Sequence, residues 1–112
     1  MGLGYAAGVV DDDVQVRANP NEDRYEIWVG DELAGFTEYR LHGHEADFVH
    51  TEIGERFGGR GLASRLIREA LDDARGQGWT VLPYCPFVKA FIAKNSEYLD
   101  LVPAEKRARF GL

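Results

Sequence analysis

Alternating apolar and polar residues dominate the first half of the chain, and helical spacing takes over in the second. Val14-Gln15-Val16-Arg17 alternates and predicts a short strand. The cluster Asn19-Pro20-Asn21-Glu22-Asp23 predicts a turn. Tyr25–Val29 predicts a second strand with Tyr25, Ile27 and Val29 on one face. Gly30-Asp31-Glu32 turns the chain into a third strand, Leu33–Leu41, and His42-Gly43-His44 turns it again. A fourth strand is predicted over Ala46–Ile53, with Phe48, His50 and Glu52 on one face and Val49, Thr51 and Ile53 on the other.

Leu62, Leu66, Ile67, Ala70, Leu71 and Ala74 then recur at helical spacing, with Arg65, Arg68, Glu69, Asp72 and Asp73 on the opposite face. Gly76 and Gly78 stop that helix. Trp79–Leu82 predicts a fifth strand ending at Pro83, and Phe87–Ala93 a second helix with Pro86 at its start. The pattern after Tyr98 does not choose between helix and loop, beyond one or two helical turns over Ala104–Phe110. A strand–helix–strand crossover places its two strands parallel. The expected fold class is therefore α/β (α+β): a compact mixed sheet of about five strands, an antiparallel meander followed by helix–strand–helix, with strands four and five parallel. Residues 1–13 are expected as a flexible N-terminal tail and residues 14–112 as a single domain.

The chain's 112 residues carry 19 acidic side chains against 13 Lys and Arg, a formal net charge of -6. That balance argues against bulk binding to nucleic acid or an anionic membrane, both of which need a basic surface. The charge is uneven. Asp11, Asp12 and Asp13 open an acidic N-terminal half, whereas Arg56, Arg60, Arg65 and Arg68 fall in one stretch free of acids. Cys85 is the single cysteine, so no intramolecular disulfide forms and a Cys-based zinc site is not expected. A reducing, cytoplasmic compartment fits. Met1–Val10 is small and apolar, but lacks a basic region and is too short to span a bilayer. His42 and His44 have no partner ligands nearby in sequence and are expected as surface residues, with no metal site.

Positive charge gathers where the glycines are, in Phe57-Gly58-Gly59-Arg60-Gly61-Leu62-Ala63-Ser64. A glycine loop that feeds a helix leaves backbone N–H groups bare at the helix's positive end, a site shaped for phosphate. Two phosphate-loop patterns fail here. Gly54 and Gly59 have the Walker spacing, but Arg60-Gly61 replaces the lysine and hydroxyl that hold magnesium-nucleotide. The dinucleotide pattern is met at Gly59 and Gly61, but Ser64 takes the third glycine's place and the loop follows a meander. The plain alternative is a tight connection whose glycines serve only positive φ.

Gly59-Arg60-Gly61-Leu62-Ala63-Ser64 after an alternating strand resembles the acetyl-coenzyme A pyrophosphate loop of the GNAT superfamily of N-acetyltransferases, with its pattern Arg/Gln-x-x-Gly-x-Gly/Ala. In that frame Gly58 occupies the Arg/Gln position, Gly61 the glycine and Ala63 the last small residue. Arg56 or Arg60 then supplies the charge that Gly58 lacks. Together with Phe48-Val49-His50-Thr51-Glu52 and Leu82-Pro83-Tyr84-Cys85-Pro86-Phe87-Val88, the likeness runs from Tyr25 to Val102 and is to a small single-domain branch. It implies transfer of an acetyl group from acetyl-coenzyme A to an amine, in a small molecule or a protein. It also implies that the pyrophosphate lies against Arg56 and the loop Gly58, Gly59, Arg60, Gly61, Leu62, Ala63 and Ser64. The pantetheine would run between the fourth and fifth strands, beside Thr51 and Ile53.

Cys85 follows the fifth strand, where a parallel pair would part. As a thiolate beside a base it would carry the acetyl group, and His50, with Glu52 to orient it, is the candidate base. As an ordinary free cysteine it is a small core hydrophobe. Two mechanisms stand: direct attack of the amine, with His50 or Glu52 removing a proton, or a two-step route through acetyl-Cys85. Tyr84 and Tyr98, candidates for protonating a leaving thiolate, are expected as packing or surface aromatics. Two readings outside catalysis also stand, a coenzyme A-binding module without activity and a protein-interaction domain with a structural loop.

Overall fold

The computed structural model describes residues 13–112, so the tail expected over residues 1–13 lies outside the described residues except for Asp13. Five strands form one sheet in the order β1-β2-β3-β4-β5: β1 Val14–Asn19, β2 Arg24–Val29, β3 Glu32–His42, β4 Glu45–Ile53 and β5 Thr80–Pro83. The first four are antiparallel and β5 runs parallel to β4, as the pattern predicts. Helix α1, Leu62–Gly76, joins β4 to β5, and α2, Pro86–Lys94, follows β5. Short 3-10 segments occupy Pro20–Glu22, Glu55–Phe57, Ser96–Leu101 and Ala104–Phe110. Trp79 stands just before β5, its ring 5.3 Å from that of Tyr39, and Pro83 belongs to the strand.

The apolar stripe of α1 is buried as its spacing requires, and Leu66, Ile67 and Leu71 share one cluster with Ile27, Phe48 and Val81. Each such side chain contributes about 1.5–3 kcal/mol by leaving water. Two phenols fasten the polar flank of α1. Tyr25 donates to Asp73 at 2.6 Å and Tyr98 to Asp72 at 2.7 Å. Burial, and then the neighbouring carboxylate, raises both phenols above the usual tyrosine range, so they stay protonated donors at neutral pH. Arg75 adds a two-pronged bond to Asp100 at 2.6 and 3.0 Å. The same guanidinium holds the Asp100 carboxyl below its ordinary range.

The fourth strand departs from the predicted alternation. Glu38 pairs with His50 and Tyr39 with Phe48, which leaves Val49 without an opposite residue. An extra residue resets the pleat. Phe48 and Thr51 are therefore both buried, while His50 and Glu52 are exposed on the outward side. The expected grouping of Phe48 with His50 and Glu52 is wrong for this reason.

The outward side of the sheet carries polar rows read directly from the register. Arg17, Glu26, Phe36 and Glu52 form one row, and Arg24, Glu38 and His50 the next. Glu26 accepts from Asn19, Arg24 and Trp28 at 2.8–3.0 Å. Burial alone would raise its pKa; the three donors outweigh that and leave it below the usual carboxylate range.

Gly35 sets the closeness of β3 and β4. A Cβ there would press on the carbonyl oxygen of Glu52 and lie 2.6 Å from Ile53 Cδ1. Gly35→Ala is expected to lower stability by about 2 kcal/mol, seen as a lower urea midpoint at unchanged slope.

Candidate functional site

The β4–β5 ladder runs only from Glu45–Thr80 to Phe48–Pro83. The donor next in register is Tyr84 N–H, which turns back to Leu82 O at 3.1 Å instead of crossing, and the last bond across is Cys85 N–H to the carbonyl of Phe48 at 2.8 Å. Beyond this point β4 continues to Ile53, while the other chain turns into α2. The edge of β4 from Val49 to Ile53 thus faces a groove rather than a strand. Phe87, about half exposed at 52%, shares a cavity wall with Ile53 at the end of that edge.

The chain after β4 is folded by its own backbone. Gly54 N–H donates to Ala34 O at 2.7 Å, Phe57 N–H to Gly54 O at 2.9 Å and Gly58 N–H to Glu55 O at 3.2 Å. Gly59 and Gly61 then take φ of +76 and +73, the left-handed region that glycine alone enters freely. Gly58 differs: its φ is -66, and a Cβ there would meet nothing closer than Glu55 O at 3.4 Å. Two of the three glycines are therefore demanded by the turn and one is not.

Gly61 caps α1 without a side-chain bond, and the first intrahelical donor is Arg65 N–H, 3.3 Å from Gly61 O. The N–H groups of Leu62, Ala63 and Ser64 are left to solvent or ligand. A cavity of about 230 Å³ opens against them, with Ile53, Phe57, Gly59, Leu62, Ser64 and Phe87 in its wall. Gly58, Gly61 and Ala63 line it as well. A second cavity of about 220 Å³ shares Ser64 and Phe87 and extends to Lys94. The structure thus gathers most of the expected loop residues with Ile53.

Three expected residues stand elsewhere. Thr51 lies buried behind the groove rather than in the cavity wall. Arg60 is exposed, its guanidinium 5.9 Å from the centre of the Phe57 ring. Arg56 turns away to form an ion pair with Glu32 on β3, so of the two candidate charges only Arg60 is uncommitted to an acid among the described residues.

Cys85 is buried at the head of α2, and its thiol donates to Thr51 Oγ1 at 3.2 Å. Thr51 Oγ1 lies 2.7 Å from Thr37 Oγ1, giving an inward chain of three polar groups. His50 is on the other side of β4, its Nε2 2.9 Å from Glu52 Oε1 and its ring 6.0 Å from that of Phe36. The bulge at Val49 is what keeps His50 and Cys85 apart, and the expected pairing of the two is corrected accordingly. Thr37 was not singled out by sequence; its signal is a hydroxyl directly opposite Thr51 in register. Tyr98 is committed to Asp72 on α1. Tyr84 accepts a bond from Arg109 at 2.9 Å and meets the Phe110 ring edge-on at 5.1 Å.

Comparison with known proteins points one way. A profile of the family described as GCN5-related N-acetyl-transferase matches residues 24–101. The structure is similar to an NMR structure of a GCN5-like protein from Staphylococcus aureus, provisionally named an N-acetyltransferase. The TM-score is 0.63 at 21% identity, over 81% of this chain and 89% of that one. At that identity the likeness speaks for the fold.

Thr51→Val keeps the shape of the buried polar chain but strands its two neighbours. It is expected to cost about 1–3 kcal/mol, measured by chemical denaturation, and Thr37→Val/Thr51→Val to recover part of that loss.

Proposed function

The chain belongs to the GCN5-related N-acetyltransferases, and on that footing we propose that it moves an acetyl group from acetyl-coenzyme A to an amine by direct attack. The observation that carries this reading is continuity: the bare helix end, the cavity beside it and the unpartnered edge of β4 follow one another without a break. When bound, acetyl-coenzyme A supplies the activated thioester.

The N–H groups of Leu62, Ala63 and Ser64 would hold the pyrophosphate oxygens, with the helix dipole and Arg60 adding positive charge. Gly59 and Gly61 let the backbone come close, and Gly58 lies beside them. The edge from Val49 to Ile53 would pair with the amides of an extended pantetheine arm, as it would with a strand. Ile53 contributes apolar wall, and Thr51 anchors the edge from behind. Arg56, held by Glu32, takes no part.

His50, oriented by Glu52, accepts the proton of the attacking amine on the outward side of the sheet. Cys85 heads α2, but its thiol is turned toward a neutral hydroxyl, with no base in hydrogen-bond reach among the described residues. That arrangement favours direct transfer over an acetyl-cysteine. Among the described residues no helix is long and apolar enough to cross a membrane. A reducing cytoplasm suits the free thiol.

Calorimetry with acetyl-coenzyme A tests the donor site. Ala63→Glu suits the first turn of a helix and spares the fold, yet places an anion against the phosphates; it is expected to weaken binding at least about tenfold. Gly58→Arg, on ordinary backbone, is expected to tighten binding several-fold. No binding heat from the parent chain at millimolar ligand would overturn the reading.

Kinetics test the chemistry. His50→Gln is expected to lower kcat about 100-fold with acetyl-coenzyme A affinity unchanged. Cys85→Ser is expected to stay within about threefold of the parent. An acetyl group trapped on Cys85, with Cys85→Ser inactive, would instead establish the two-step route.

A further inference from the structure

One cavity and one cation are left over from the donor site described above. The cavity, of about 220 Å³, lies between α1 and α2 with Ser64, Ile67, Phe87, Ala90, Phe91 and Lys94 in its wall. Ser64 and Phe87 also line the cavity of about 230 Å³ at the bare end of α1, so the two lie side by side. Neither alone reaches the roughly 300–1,000 Å³ of a typical ligand site, and together they do.

The wall is mostly apolar and held in place. Phe91 is buried, with the Tyr98 ring 5.5 Å away and the Arg68 guanidinium 5.2 Å from its centre. Ile67 is buried on the α1 side. Phe87 is the exception, because it stands between the two cavities and is half exposed. A ring left in water at a cavity mouth offers a flat apolar face to a planar partner.

Lys94 is the charged member of that wall. It is exposed, and no acid lies within ion-pair distance of it among the described residues. The neighbouring cations of α1 are matched otherwise: Arg65 with Glu69, Arg68 with Glu97 and Arg75 with Asp100. In a chain of net charge -6, an ammonium group left unmatched at a cavity rim favours an anionic ligand there.

We propose that this second cavity receives the nucleoside end of the donor, and that Lys94, by pairing with a phosphate on the ribose, makes the chain select a 3′-phosphorylated donor over shorter pantetheine thioesters. The proposal rests on the acetyl-transfer reading above and names the residue that sets its donor specificity. With the pyrophosphate on the N–H groups of Leu62, Ala63 and Ser64, the donor leaves that point in two directions. The pantetheine arm takes the β4 edge. The nucleoside takes the side of Ser64 and Phe87, where the base meets the exposed ring and the ribose phosphate meets Lys94.

Calorimetry with acetyl-coenzyme A and its 3′-dephospho analogue tests this. The parent chain is expected to bind the phosphorylated donor about tenfold tighter. Lys94→Gln is expected to bring the two affinities within about twofold by weakening only the phosphorylated donor. Lys89→Gln, which removes a cation of α2 outside the cavity wall, is expected to keep the gap. In steady-state kinetics Lys94→Gln is expected to raise the KM for acetyl-coenzyme A about tenfold at unchanged kcat, because the contact is the same in ground and transition states. Equal affinity of the parent for both donors overturns the proposal, as does a gap that survives Lys94→Gln or that Lys89→Gln also removes. Should neither donor bind, the acetyl-transfer reading has fallen on its own. Binding of adenosine 3′,5′-bisphosphate, lost in Lys94→Gln, would then still support the cavity as a phosphonucleoside site, and its absence would remove it.

Discussion

Phe48 holds the two halves of this fold together at the point where they separate. Its carbonyl accepts the final bond from the β5 side, and its ring is buried against Tyr25 and Tyr39 with centroids 6.4 and 5.9 Å away. One residue later the bulge turns β4 onto a different pleat, and Tyr84 N–H, the donor that would follow on the β5 side, turns back to Leu82 O. A parallel pair that would otherwise zip shut is held open by backbone chemistry at both members. The groove, the exposed edge and the opposed placement of His50 and Cys85 all descend from that single parting.

Helix α1 is built asymmetrically around it. Its far end and polar flank are tied down by Tyr25, Tyr98 and the Arg75–Asp100 pair, and its apolar stripe is fully committed to the sheet. Its near end has no capping side chain. Rigidity at one end is what makes bare donors at the other useful, because a frayed first turn would not present them in fixed directions. Arg56 illustrates the same economy of position: its charge braces the start of β3 through Glu32 instead of reaching the cavity.

The order and direction of the strands were legible because each carries enough alternation or β-branched residues to declare itself, and the glycine loop because few structures other than a tight turn before a helix need such residues. The bulge was not legible. Phe48-Val49-His50-Thr51 runs two apolar residues into two polar ones, a break that does not by itself locate a bulge, and the extra residue exists only relative to Glu38 and Tyr39 on the neighbouring strand. The error it produced put His50 on the wrong face and beside the wrong partner. Ser96–Leu101 was unreadable for another reason: a 3-10 segment of six residues has too few turns to show a period, and its fold is dictated by Tyr98 and Asp100 reaching back to α1. Thr37 was invisible because a buried hydroxyl means nothing until its partner across the ladder is known.

The lone thiol has a practical side. Cys85 sits at the hinge between β5 and α2, shielded from solvent and tethered to Thr51. No second sulfhydryl competes with it for a reagent. An alkylating agent can reach it only when that junction opens, so its labelling rate is a clock for local breathing of the groove. The natural chain therefore carries its own single-site reporter, with no engineered tag needed to time how often the two strands let go of one another.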